Sequence, residues 1–141
     1  MINKERYLLN AIGDDHAATR AGVEKFLELC QKYGNGVIYV PTKQHVDSTI
    51  LASAVGQNLV KSLAKNKPAT LPTGQKIELC SDRTFKNYKN ADVYLVLWAT
   101  PEMISTMEND SYTCRASVVV TWLENDADNW VSDYAPLELS W

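Results

Sequence analysis

Three short runs in this chain are almost wholly apolar, rich in β-branched and aromatic residues, and separated by turn residues. They are Val37-Ile38-Tyr39-Val40, Val93-Tyr94-Leu95-Val96-Leu97-Trp98 and Ser117-Val118-Val119-Val120-Thr121-Trp122. A strand buried on both faces reads this way, because neither face needs alternate polar residues. Such strands need cover on both sides, so the segments between them should supply helices. They do so with helical spacing.

Residues 15–33 place Val23, Phe26, Leu27, Cys30 and Tyr33 on one stripe, with Asp14 or Asp15 as N-cap and Gly34-Asn35-Gly36 as the stop. After the first strand, Val46, Ile50, Leu51, Ala54, Val55, Leu59 and Leu63 form a second stripe. Two prolines and a glycine between Asn66 and Gly74 then break the chain. Lys76-Ile77-Glu78-Leu79-Cys80 alternates polar and apolar residues, as a strand near a sheet edge does. A short helical turn is expected around 84–89. Thr100 and Pro101 suit the cap and first turn of a helix carrying Met103, Ile104 and Met107. Trp130, Val131, Tyr134 and Ala135 have helical spacing before Pro136. Residues 123–141 are thus read as a helix, with a hairpin and an antiparallel edge as the alternative. Tyr7, Leu8, Ala11 and Ile12 suggest one further short helix over 4–12.

This order predicts an α/β fold over a single domain of residues 1–141: a small three-layer sandwich with a mostly parallel four-stranded sheet. One or two helices precede it at the N-terminus. Right-handed crossovers and one reversal of winding give a Rossmann-like strand order of 2-1-3-4.

Charge narrows the partners. Residues 1–70 carry nine Lys or Arg against six Asp or Glu, whereas residues 71–141 carry five against eleven. The basic residues Lys61, Lys65, Lys67, Lys76, Arg83, Lys86 and Lys89 are interrupted by Glu78 and Asp82 and read as a solvated face, so no nucleic-acid partner is expected. No apolar run approaches the roughly 20 residues of a membrane span, and no export signal opens the chain, which points to a cytoplasmic protein without a membrane partner. Cys30, Cys80 and Cys114 are odd in number and widely spaced, as buried reduced thiols are.

In open parallel sheets ligands bind beyond the carboxyl ends of the strands. That rule selects the loops 41–49, 80–84, 98–102 and 121–128. The first is the most suggestive, since it joins a buried strand to a helix start whose amides would attract an anion. Thr42, Lys43, His45, Asp47, Ser48 and Thr49 are the candidate ligand-binding residues. Lys43 would supply charge, Ser48 and Thr49 hydroxyls, and His45 a group titrating near neutrality. The phosphate-loop patterns G-x-G-x-x-G and G-x-x-x-x-G-K-[ST] do not occur, so helix capping by Thr42 or Asp47 competes with this reading. His16, in the first turn of its helix, reads as a surface residue. The acidic run Glu124 to Asp128 lacks the central glycine and distal glutamate of a calcium loop, and no metal site is expected. No cofactor can be named.

The leading expectation is a small-molecule binding module for a nucleotide or phosphorylated metabolite. A homodimeric interaction protein without a ligand is second, its contact surface built from Trp130, Trp141 and the tail Leu137-Glu138-Leu139-Ser140-Trp141. A small hydrolase or transferase using His45 and Asp47 is third.

Overall fold

In a computed structural model, which describes residues 4–13, 15–41 and 69–141, the chain opens not with a helix but with strand β1 (Glu5–Leu9). Leu8 and Leu9 are consecutive and both buried, so the segment needs cover on two opposite faces, which a surface helix does not give. β1 pairs in parallel with β6 on one side and β7 on the other. The helix expected over 4–12 is therefore corrected to an interior strand, and one N-terminal helix remains.

That helix, α1 (His16–Tyr33), begins where the Ala18 amide donates to the Asp15 carboxylate at 2.9 Å. It ends at Gly34, whose φ of 137° suits a residue without Cβ and whose N–H reaches the Cys30 carbonyl. The elements that follow are β2 (Gly36–Tyr39), β3 (Ala69–Thr70), β4 (Lys76–Cys80), a 3-10 turn (Phe85–Asn87) and β5 (Val93–Ala99). Then come α2 (Pro101–Asp110), β6 (Ala116–Thr121), α3 (Asp128–Tyr134) and β7 (Leu137–Glu138).

Among the described residues the sheet has seven strands in the order β3-β4-β2-β5-β6-β1-β7, parallel throughout except for β3 against β4. The expected four-stranded sheet is thus corrected. β3, β1 and β7 add to the strands read from the sequence, and those stand side by side as β4-β2-β5-β6. β3 and β7 are two residues long, too short for any periodicity to mark them. After the helix α3, residues 137–138 form a parallel edge rather than the antiparallel one weighed above.

Alternate residues of the strands feed two cores. Leu9, Ile38, Leu95, Leu97, Val118 and Val120 meet Val23, Phe26 and Leu29 of α1. Leu8, Tyr39, Tyr94, Val96 and Val119 meet Met103, Ile104 and Met107 of α2 and Trp130 of α3. Trp130 is buried, which removes it from the exposed aromatic patch expected at the C-terminus; Leu137 and Trp141 stay exposed. The helix stripe at 46–63 lies outside the described residues.

Candidate functional site

Because β1, β2, β4, β5 and β6 are mutually parallel, their carboxyl ends share one edge of the sheet. α1 lies on one face of the sheet and α2 with α3 on the other, so this edge runs between two helical layers. Thr42, Lys43, His45, Asp47, Ser48 and Thr49 lie outside the described residues. Pro41, just after β2, is the last described residue before them.

The other three loops differ in what they leave available. In loop 81–84 the Ser81 amide donates to Thr84 Oγ1 and the Thr84 amide returns to the Ser81 carbonyl, closing a turn. Asp82 accepts a hydrogen bond from the Tyr39 phenol. Burial, and then that carboxylate, push the Tyr39 pKa far above the ordinary tyrosine value, so the phenol stays protonated and its hydrogen is committed to Asp82.

In loop 121–128 the Thr121 hydroxyl accepts from the Ala11 amide at 2.9 Å and donates to the Ala11 carbonyl, tying β6 to the chain leaving β1. The Gly13 amide donates to the Trp122 carbonyl at 2.7 Å, extending that tie. Asp126 accepts from the Leu123 amide and so folds its own turn. Among the described residues no three His, Cys, Asp or Glu side chains are grouped to hold a metal ion.

Loop 98–102 is the unusual one. Trp98 has φ 55°, the left-handed region that a bulky L-residue rarely adopts, at a break in the β5–β6 register between Leu97 and Ala99. Thr100 then caps α2, its Oγ1 accepting from the Met103 amide at 3.3 Å, with Pro101 in the first helical position. A cavity of about 240 Å³ opens here, lined by Pro41, Trp98, Thr100 and Trp122. Trp98 is 4% exposed and Trp122 37%, so one indole forms a wall from within the core and the other stands at the rim.

Trp98 lies in the core, as a residue of a buried strand should, whereas Trp122 is exposed, and the cavity between them is what reasoning from sequence misses. The signal available was their matching place at the ends of neighbouring strands, since Leu97 pairs with Val120 and Ala99 with Thr121.

Larger hollows exist elsewhere. One of about 550 Å³ lies between the start of α1, including His16, and the C-terminal Ser140-Trp141. Another of about 300 Å³ runs between α2 and α3 beside Glu108. Glu108 is already engaged there. Burial raises its pKa, but hydrogen bonds from Arg6 Nε at 2.6 Å and Trp130 Nε1 at 2.8 Å, with the Arg6 charge, outweigh that and lower it overall.

The cysteines are free and buried. Burial raises the Cys30 thiol to about 12 and the Cys114 thiol to about 11, which disfavours a thiolate at either. Among the described residues, no helix is long and apolar enough to cross a membrane. Comparison of the chain with protein-family models, curated proteins and solved structures finds no match.

Proposed function

We propose that the chain is a Rossmann-like, cytoplasmic small-molecule binding module, for a nucleotide or phosphorylated metabolite, that takes its ligand at the carboxyl ends of the strands. The observation that supports this most is the cavity between Trp98 and Trp122. It lies at the edge where open parallel sheets hold ligands, and one of its walls is set by a residue in a costly backbone conformation. Strain of about 1–3 kcal/mol is retained where surrounding structure enforces it, and ligand sites are a common reason.

A thermal-shift screen of nucleotides, nucleosides and phosphorylated metabolites tests the reading. A ligand at one hundred times its Kd adds about 2.7 kcal/mol. In a domain of this size that raises the melting midpoint by several degrees. A screen in which no compound moves the midpoint overturns it.

A second reading, a homodimer joined through its C-terminal edge, is supported by the exposure of Leu137, Tyr134, Val131 and Trp141 around β7, whose outer side pairs with no described strand. Light scattering at tens of micromolar, with and without residues 137–141, tests it. A wild-type chain that stays monomeric there defeats the homodimer.

A further inference from the structure

We infer that the cavity between Trp98 and Trp122 takes the flat, uncharged aromatic part of a ligand, such as a nucleobase, and not its phosphate. The inference rests on the small-molecule reading above and decides which end of the molecule enters here.

The start of α2 is the natural place to look for an anion, because the first amides of a helix lack partners within it. In this helix most of that capacity is gone. Pro101 has no N–H to offer. The Met103 amide donates to the Thr100 hydroxyl, and the Ile104 amide to the Thr100 carbonyl. Glu102 places a carboxylate in the first turn, which already complements the helix dipole and would repel a phosphate.

The described loops add to the repulsion. Among the described residues that follow the carboxyl ends of β4, β5 and β6, Asp82, Glu102, Glu124 and Asp126 stand against Arg83. The lining suits a different chemistry. Among the described residues the lining is the exposed Trp122 indole, the Pro41 ring and the small uncovered part of Trp98, and the Thr100 hydroxyl oxygen is already held by the helix cap. At about 240 Å³ the space is below the usual range for a whole drug-sized ligand, roughly 300–1,000 Å³, and fits one part of a molecule. An aromatic ring stacking on tryptophan gains dispersion and quadrupole attraction that a charged, hydrated phosphate does not.

The experiment follows the indole N–H resonances of the intact protein by ¹⁵N-NMR while adenine, adenosine, ribose 5-phosphate and inorganic phosphate are added separately. The Trp98 and Trp122 resonances, assigned with Trp98→Phe and Trp122→Phe, should move with adenine and adenosine. Those of Trp130, bonded to Glu108, and of Trp141 should stay fixed. Trp122→Ala, checked for folding by circular dichroism, should weaken adenosine binding about tenfold or more, and Trp122→Phe should restore most of it.

Ribose 5-phosphate or phosphate moving the Trp98 and Trp122 resonances in place of adenine would overturn the inference while leaving the small-molecule reading intact. So would adenosine binding that ignores Trp122→Ala. A protein that responds to none of the four probes also overturns it. If the broader thermal-shift screen is then silent as well, the small-molecule reading fails with it.

Discussion

The two ends of the parallel sheet differ in how their described side chains are used. At the amino end, polar side chains meet partners of the same chain. Glu5, the first residue of β1, accepts from the Tyr7 and Tyr33 phenols and from Lys32 Nζ at 3.0 Å. Arg6, on the opposite face, closes onto Glu108, which also receives the Trp130 indole N–H. At the carboxyl end three described apolar side chains are partly uncovered: Ile12 is 65% exposed, Leu123 57% and Trp122 37%. The same end holds the left-handed Trp98. Polar groups that find partners within the chain hold the sheet together. Apolar surface left open beside strained backbone costs stability and offers a ligand something to cover.

The largest effect should come from breaking the amino end at Glu108. Its side chain is 5% exposed and that of Arg6 18%, so Glu108→Ala leaves a guanidinium and an indole N–H without their acceptor inside the α2–α3 face. Removing one partner of a buried pair costs about 3–5 kcal/mol. Urea unfolding of Glu108→Ala should show a loss in that range, with Glu108→Gln intermediate because its amide oxygen still accepts one hydrogen bond. A loss below about 1 kcal/mol would mean that water replaces the carboxylate, and the contrast between the two ends would be lost.

A smaller, pH-dependent effect belongs to Glu5. Hydrogen bonds from Tyr33 and then Tyr7, with Lys32 beside them, lower its pKa from the ordinary 4.5 to about 2 against the opposing pull of burial. A carboxylate with a depressed folded pKa stabilises the fold fully above its unfolded value, and the gain disappears as pH falls through the folded value. The stability difference between wild type and Glu5→Gln should therefore be constant above about pH 5.5. It should shrink between about pH 4.5 and 2 and vanish below that. Equilibrium unfolding of both proteins across this range checks it. A difference that persists unchanged at pH 2 would show that the tyrosines hold the neutral carboxyl of Glu5 as well as they hold the charge.

The same contrast explains what was legible in the sequence. β2, β5 and β6 stood out because strands covered by helices on both faces cannot carry polar residues at every second position. β1 did not. Tyr7, Leu8, Ala11 and Ile12 fit a helical stripe, and only the burial of Leu9 opposite Leu8, between β6 and β7, identifies a strand. The edge that could host a ligand followed from topology alone, so loops 80–84, 98–102 and 121–128 were located in advance. The cavity was not, because it forms beside a left-handed turn at Trp98, where the register against β6 breaks. A glycine or asparagine would have announced such a turn; a tryptophan does not. The residues chosen in loop 41–49 lie outside the described part of the chain.

The smallest expected effect is the one that tests the carboxyl end most directly. Ile12 and Leu123 are both more than half exposed, and the bond from the Gly13 amide to the Trp122 carbonyl brings their two segments together without burying either side chain. Replacing an exposed leucine or isoleucine removes little apolar area that folding had buried, and surface substitutions away from caps and cores change stability by about 0.5 kcal/mol or less. Ile12→Ser and Leu123→Ser should each fall within that limit in urea unfolding at a few micromolar, with midpoints that do not depend on protein concentration. A loss above about 1 kcal/mol that grows with protein concentration would show that a second copy covers this edge, since association stabilises by mass action. The open end would then be an interface, and a homodimer joined through this end rather than through β7 would replace the ligand as the reason for its apolar surface. A loss of that size at every concentration would show that the chain itself covers the edge, and the contrast between the two ends would disappear.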